Sequence, residues 1–159
     1  MRDRIKAIVT RESVQTLEKL AFIFAVPEEE DVEPEEGETV DVAISFSGPF
    51  SGGMLILYPR GDLDELAANM LGLDDEDEIA SDQKVDALKE TINIVCGNIL
   101  PAIGGKEAVF DIDAPVIIDE PDFRPDISDA VKVQLELDEG LCFVYIVFDG
   151  GVPDVEPEQ

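Results

Sequence analysis

From Val40 onward the hydrophobic spacing changes period twice, and that change limits the fold more than any single motif. Val40, Val42, Ile44 and Phe46 alternate with Asp41, Ala43 and Ser45, the two-residue period of a half-buried strand. Gly48-Pro49-Phe50-Ser51-Gly52 reads as a turn into the apolar run Met54-Leu55-Ile56-Leu57-Tyr58, so the two segments make a hairpin. From Ser81 to Leu100 the period becomes helical. Val85, Leu88, Ile92, Val95, Cys96 and Ile99 fall within about 100° on a helical wheel and make one buried face. Val131, Val133, Leu135 and Leu137 restore the alternation, and Leu141 to Phe148 follows an Asp138-Glu139-Gly140 turn. Strands and helices in runs, without regular βαβ alternation, predict an α+β fold with long helices packed on a largely antiparallel sheet.

The remaining elements follow from punctuation. Val14, Leu17, Ala21, Phe24 and Ala25 predict one face of a first helix, which Pro27 ends. A short helix from about Asp62 to Leu71 is expected to stop at Gly72. Ser81 or Asp82 is the expected cap of the long helix, with Pro101 near its end and Gly104-Gly105 beyond. Val109 to Ile118 is a strand pattern interrupted by Pro115. At 159 residues the chain is expected to hold a single domain, 1–148, followed by an acidic flexible tail, 149–159.

Charge and missing residue types then remove whole classes of function. Eleven basic side chains against 38 acidic ones give a formal charge of −27, which argues against nucleic acid or an anionic membrane as partner. Eight acids between 28 and 38 predict a solvated loop. Asp74-Asp75-Glu76-Asp77-Glu78 lacks the glycine and spaced glutamate of an EF-hand loop and is expected to lend negative charge to the start of the long helix. There is no histidine, so Ser-His-Asp and Cys-His nucleophile systems and histidine zinc sites are ruled out. Cys96 and Cys142 lie in apolar patterns and read as reduced core residues of a cytoplasmic protein. Neither a signal peptide nor a membrane span is visible.

The long helix carries the chemistry. Asp86, Glu90, Asn93 and Gly97 stand at i, i+4, i+7 and i+11, within about 60° of one another and away from the apolar stripe. One ridge thus presents carboxylate, carboxylate, carboxamide and bare backbone in order. These are the residues of any solvated helix face, or of a docking surface. Asparagine and glycine are poor mid-helix residues, glycine costing about 0.8–1.0 kcal/mol relative to alanine, and both favour docking. Asp86 and Glu90 alone are too few to hold a metal.

At this ridge the chain resembles a family. Asp86-Ala-Leu-Lys-Glu90-Thr-Ile-Asn93-Ile-Val-Cys-Gly97-Asn98 is similar to the Asp/Ser-x3-Glu-x2-Asn signature of the CheC/CheX/FliY phosphatases of bacterial chemotaxis. Gly48-Pro-Phe-Ser-Gly-Gly-Met-Leu-Ile-Leu-Tyr58 and Leu66-Ala-Ala-Asn-Met-Leu-Gly72 match CheX-like domains in order and spacing. The first helix lacks Glu and Asn at the matching places, which resembles single-site CheX more than two-site CheC. The resemblance implies hydrolysis of the aspartyl phosphate on a phosphorylated CheY-like response regulator. In that reading Asn93 orients water for in-line attack, Glu90 contacts the receiver's lysine, and Asp86 and Gly97 help to dock the partner. No cofactor of its own is implied, because Mg²⁺ resides on the partner receiver domain. A homodimer paired through sheet edges is implied too. Two rivals remain at this stage: a module that binds the phosphorylated receiver without hydrolysing it, and an acidic decoy that mimics nucleic acid.

Overall fold

In a computed structural model of the chain, residues 1–73, 78–120 and 124–153 are described. Helix α1 (Arg2–Ala21) leads into strand β1 (Val26–Pro27), then β2 (Thr39–Ser47) and β3 (Gly52–Pro59). A 3₁₀ turn at Arg60–Asp62 precedes α2 (Leu63–Leu71), and α3 (Ser81–Gly104) follows. Strands β4 (Asp111–Ile112), β5 (Val116–Ile117), β6 (Val131–Glu136) and β7 (Leu141–Phe148) complete the order. Every pairing is antiparallel, and the sheet runs β1-β6-β7-β3-β2-β4 with β5 also against β2. The expected α+β architecture is the observed one.

Alternation sorts the sheet's two faces. Val42, Ile44, Met54, Ile56, Val133, Leu135, Val144 and Ile146 point to the helices and share the main core with Leu88, Ile92 and Ile99. Leu55, Leu57, Phe143 and Tyr145 point the other way into a smaller cluster. The β2–β3 register pairs Val40 with Tyr58 and Phe46 with Gly52. At Gly52 the strands come so close that a Cβ would stand 1.9 Å from the Val147 carbonyl oxygen, so only glycine is tolerated there.

Several expectations are corrected. The first helix ends six residues before Pro27: Phe22 takes a left-handed conformation (φ 54°), and the Ile23 N–H bonds back to the Leu17 carbonyl. Phe24, expected on the helix's buried face, is 70% exposed. Ala80 rather than Ser81 or Asp82 caps α3, its N–H donating to the Gln83 side-chain oxygen at 3.1 Å. That helix also runs through Pro101 to Gly104. Val85 is only half-buried. The strand pattern 109–118 shrinks to two two-residue strands on the β2 edge.

The acidic loop after β1 is mostly exposed but anchored. Gln134 accepts a hydrogen bond from the Val32 N–H and donates to the Glu28 and Glu30 carbonyls, while Lys132 Nζ reaches Asp31 at 2.8 Å. The expected tail begins packed rather than loose: the Asp149 N–H bonds to Ser51 and Val152 packs on the core. The rest of that tail, 154–159, and most of the acidic run, 74–77, lie outside the described residues.

Candidate functional site

Three polar links assemble the helical layer around α3. Lys84 Nζ pairs with Asp64 of α2 at 2.6 Å. The Asn69 amide donates to the Ala21 carbonyl at 2.6 Å, joining α2 to the end of α1. Near the other end of α3, the Asn98 amide donates to the Thr16 hydroxyl of α1 at 2.9 Å. Helix α3 therefore lies against both neighbours while its buried face rests on the sheet. Leu88, Cys96, Ile99 and Leu100 are wholly shielded there, and Thr91 satisfies its buried hydroxyl on the Ala87 carbonyl. Burial pushes the Cys96 thiol up to about 12, so it is a protonated core residue and no nucleophile.

That anchoring fixes where the opposite face points. Asp86, Glu90 and Asn93 are exposed and Gly97 is half-buried, in line along the outer side of α3. Among the described residues none forms an ion pair or hydrogen bond with the side chains of Asp86, Glu90 or Asn93. The structure thus brings all four expected residues onto one surface. Two carboxylates and a carboxamide on a rigid helix can pair with a cation and hold a water, and a convex ridge suits a macromolecular partner.

Two features of this site were not foreseen. The Asn98–Thr16 contact joins residues 82 apart, and local periodicity carries no signal for it. The inclusion of Pro101 in α3 was not foreseen either, because a proline usually ends a helix. Elsewhere, Asp62 is 2% exposed and accepts the N–H groups of Glu139 and Gly140 at 3.0 and 3.1 Å. Its pKa is raised by burial, with Asp138 and Glu139 adding to the effect against those two hydrogen bonds. Asp62 fastens the β6–β7 turn and takes no part in the ridge. Among the described residues no group of three or more Cys, Asp or Glu side chains is placed to hold a metal ion, and no helix is long and apolar enough to cross a membrane.

The family model for the chemotaxis phosphatase CheX matches residues 40–136, which include the ridge. The chain belongs to the CheX family. Solved CheX structures superpose over nearly the whole chain. The Vibrio vulnificus CheX structure is 20% identical with a TM-score of 0.73, over 94% of this chain and 99% of that one. The Desulfovibrio desulfuricans CheX structure is 16% identical with a TM-score of 0.70, covering 92% and 99%. A chain of the CheX–CheY–BeF₃–Mg²⁺ complex from Borrelia burgdorferi is 19% identical with a TM-score of 0.64, covering 89% and 96%. At these identities the likeness shows the fold. No curated protein matches this chain.

Proposed function

We propose that this CheX-family chain hydrolyses the aspartyl phosphate of a CheY-like response regulator. The observation that carries the reading is the exposed, unpartnered alignment of Asp86, Glu90 and Asn93 on one ridge of α3. An acyl phosphate already has a good leaving group, so the helper need not supply a nucleophile of its own. The receiver brings Mg²⁺ and a lysine to neutralise the phosphoryl oxygens. The Asn93 carboxamide orients a water in line with the phosphorus. The water oxygen bonds to phosphorus, the bond to the aspartyl oxygen breaks, and carboxylate and inorganic phosphate leave. Glu90 makes a charge-assisted bond to the receiver's lysine and fixes register, while Asp86 and Gly97 extend the docking surface.

The same proposal includes a cytoplasmic setting and a homodimer. Phe24, just before the short edge strand β1, and Val26 within it are 70% and 59% exposed, and Val116 is 57% exposed on the opposite edge. Sedimentation velocity at micromolar concentration should give twice the monomer mass, and a monomer alone removes this part of the proposal.

Phosphate release from a Mg²⁺-loaded, phosphorylated CheY receiver tests the reaction itself. Wild type should accelerate it, Asn93→Ala should remove roughly 10²-fold of that acceleration, and Glu90→Gln should weaken it. A wild-type chain that binds the receiver yet leaves its intrinsic rate unchanged is a binding module, and the enzymatic reading fails.

A further inference from the structure

Glycine and proline stand four residues apart in the last third of α3, and both break helix chemistry beside Asn93. Pro101 lies inside the helix, which continues to Gly104. Proline has no N–H, so the intrahelical bond that would end on the Gly97 carbonyl oxygen is not made. Helical geometry puts that carbonyl about one turn C-terminal to Asn93, on the ridge side.

Packing does not account for Gly97 either. A Cβ built there meets nothing within 4 Å, and the backbone is not left-handed. The contrast with Gly104 is direct, since a Cβ there would press on the Phe110 ring at 2.9 Å. Alanine would fit at 97 and would strengthen the helix. The chain instead keeps a bare Cα next to a carbonyl without its helical donor, on a ridge whose polar side chains are also unpartnered among the described residues.

We infer that Gly97 and Pro101 together form a main-chain contact for the receiver. The bare Cα admits the partner's backbone to van der Waals distance, and the Gly97 carbonyl accepts a hydrogen bond from a partner N–H. The inference rests on the receiver-binding reading above and adds a main-chain contact that sets affinity for the receiver rather than the rate of the chemical step. Gly97 and Pro101 are positioning residues, remote from the reacting atoms. A purely structural account makes a different statement: glycine at 97 only relieves crowding between the Pro101 ring and the carbonyl four residues earlier.

Binding and turnover of Gly97→Ala, Pro101→Ala, the double variant and Asn93→Ala separate these. The probes are CheY receivers loaded with Mg²⁺ and beryllofluoride for Kd, and the same receivers phosphorylated for kcat and KM. Gly97→Ala should raise the urea midpoint yet weaken Kd and KM by about tenfold, with kcat changed by less than about twofold. Pro101→Ala, which returns a helical donor to the carbonyl, should weaken Kd by about threefold to fivefold. Wild-type Kd in Gly97→Ala, a lowered urea midpoint in that variant, or full rescue of its Kd by Pro101→Ala overturns the inference. If wild type binds but does not hydrolyse, the catalytic reading falls, and the Kd ratio of wild type to Gly97→Ala still judges the contact. If wild type and Asn93→Ala both fail to bind any receiver, the two readings fall together.

Discussion

Helices α1 and α3 are of similar length, 20 and 24 residues, and lie side by side in one layer, but they spend their polar residues differently. On α1, Ser13 and Thr16 are turned inward, 2% and 5% exposed. On α3, Asp86, Glu90 and Asn93 are turned outward with nothing of the described chain to bind. The first helix has no proline or glycine in its interior, whereas the third carries Gly97 and Pro101. Packing explains the inward residues of both helices. It explains none of the outward departures on α3, and those are what the proposed docking of a receiver would account for.

The largest test of that contrast is truncation of matched core positions. Leu17→Ala on α1 and Leu88→Ala on α3 remove side chains that are 4% and 0% exposed, and each should cost about 2–5 kcal/mol in urea unfolding. Glu90→Ala, two residues from Leu88, should stay within about 0.5 kcal/mol of wild type. A Glu90→Ala variant as damaged as Leu88→Ala would mean that the ridge is structural after all.

Alkaline pH gives a second, smaller separation. Among the described residues of α3 the buried face holds Cys96, whose thiol burial pushes up to about 12, and burial does the same to Cys142 on β7, with Asp62 adding to it. The folded chain therefore keeps protons that the unfolded chain releases from near pH 9. Stability is fully present below that pH and is lost above it, by about 1.4 kcal/mol per pH unit for each thiol. Urea midpoints at pH 8 and pH 10 check this, with Cys96→Ala and Cys142→Ala each making the fall shallower. A midpoint that does not move between the two pH values contradicts the assignment.

How far the chain could be read in advance follows from the same contrast between local and distant causes. The hairpins at 39–59 and 131–148 were legible because β2 and β6 alternate apolar with more polar residues, while β3 and β7 are continuous apolar runs buried on both faces. The ridge was legible because helical spacing is local. The end of α1 was not, since Phe22 to Val26 satisfy a helical stripe as well as a two-residue alternation. What decides is the left-handed Phe22 and the pairing of Val26 with Glu136. Strands β4 and β5 are held, among the described residues, by β2 alone, and the strand pattern over 109–118 carries no sign of how short those pairings are. Pro101 looked like a terminator because proline usually is one, yet so close to the helix end it forfeits a single bond and the helix tolerates it.

A third test addresses the seam between the two helices. Thr16→Val keeps the shape of the side chain and removes the oxygen that receives the Asn98 amide at 2.9 Å. Loss of one such bond should cost about 1 kcal/mol, and Asn98, being exposed, can turn to water. Turnover should fall less than stability does, because the ridge is anchored also by Leu88, Ile92 and Ile99. A large drop in kcat with unchanged stability would instead give the Thr16–Asn98 pair a place in the mechanism.

The smallest effect expected is also the most diagnostic of α1. The Ser13 hydroxyl is buried and, among the described residues, has no hydrogen-bond partner. It sits one turn before Thr16, where a carbonyl four residues back is the usual acceptor, and that bond is not made. An unsatisfied buried hydroxyl destabilises the folded state, and serine is a weaker helix former than alanine. Ser13→Ala removes one oxygen, sacrifices no hydrogen bond and leaves a space too small to matter. It should raise stability by about 0.5–1 kcal/mol, read as a higher urea midpoint with unchanged slope. Most core substitutions destabilise, so a gain here would be hard to obtain by accident. A loss would mean that the hydroxyl has a partner within the fold, and α1 would then differ from α3 completely, with every inward polar group satisfied by the chain itself.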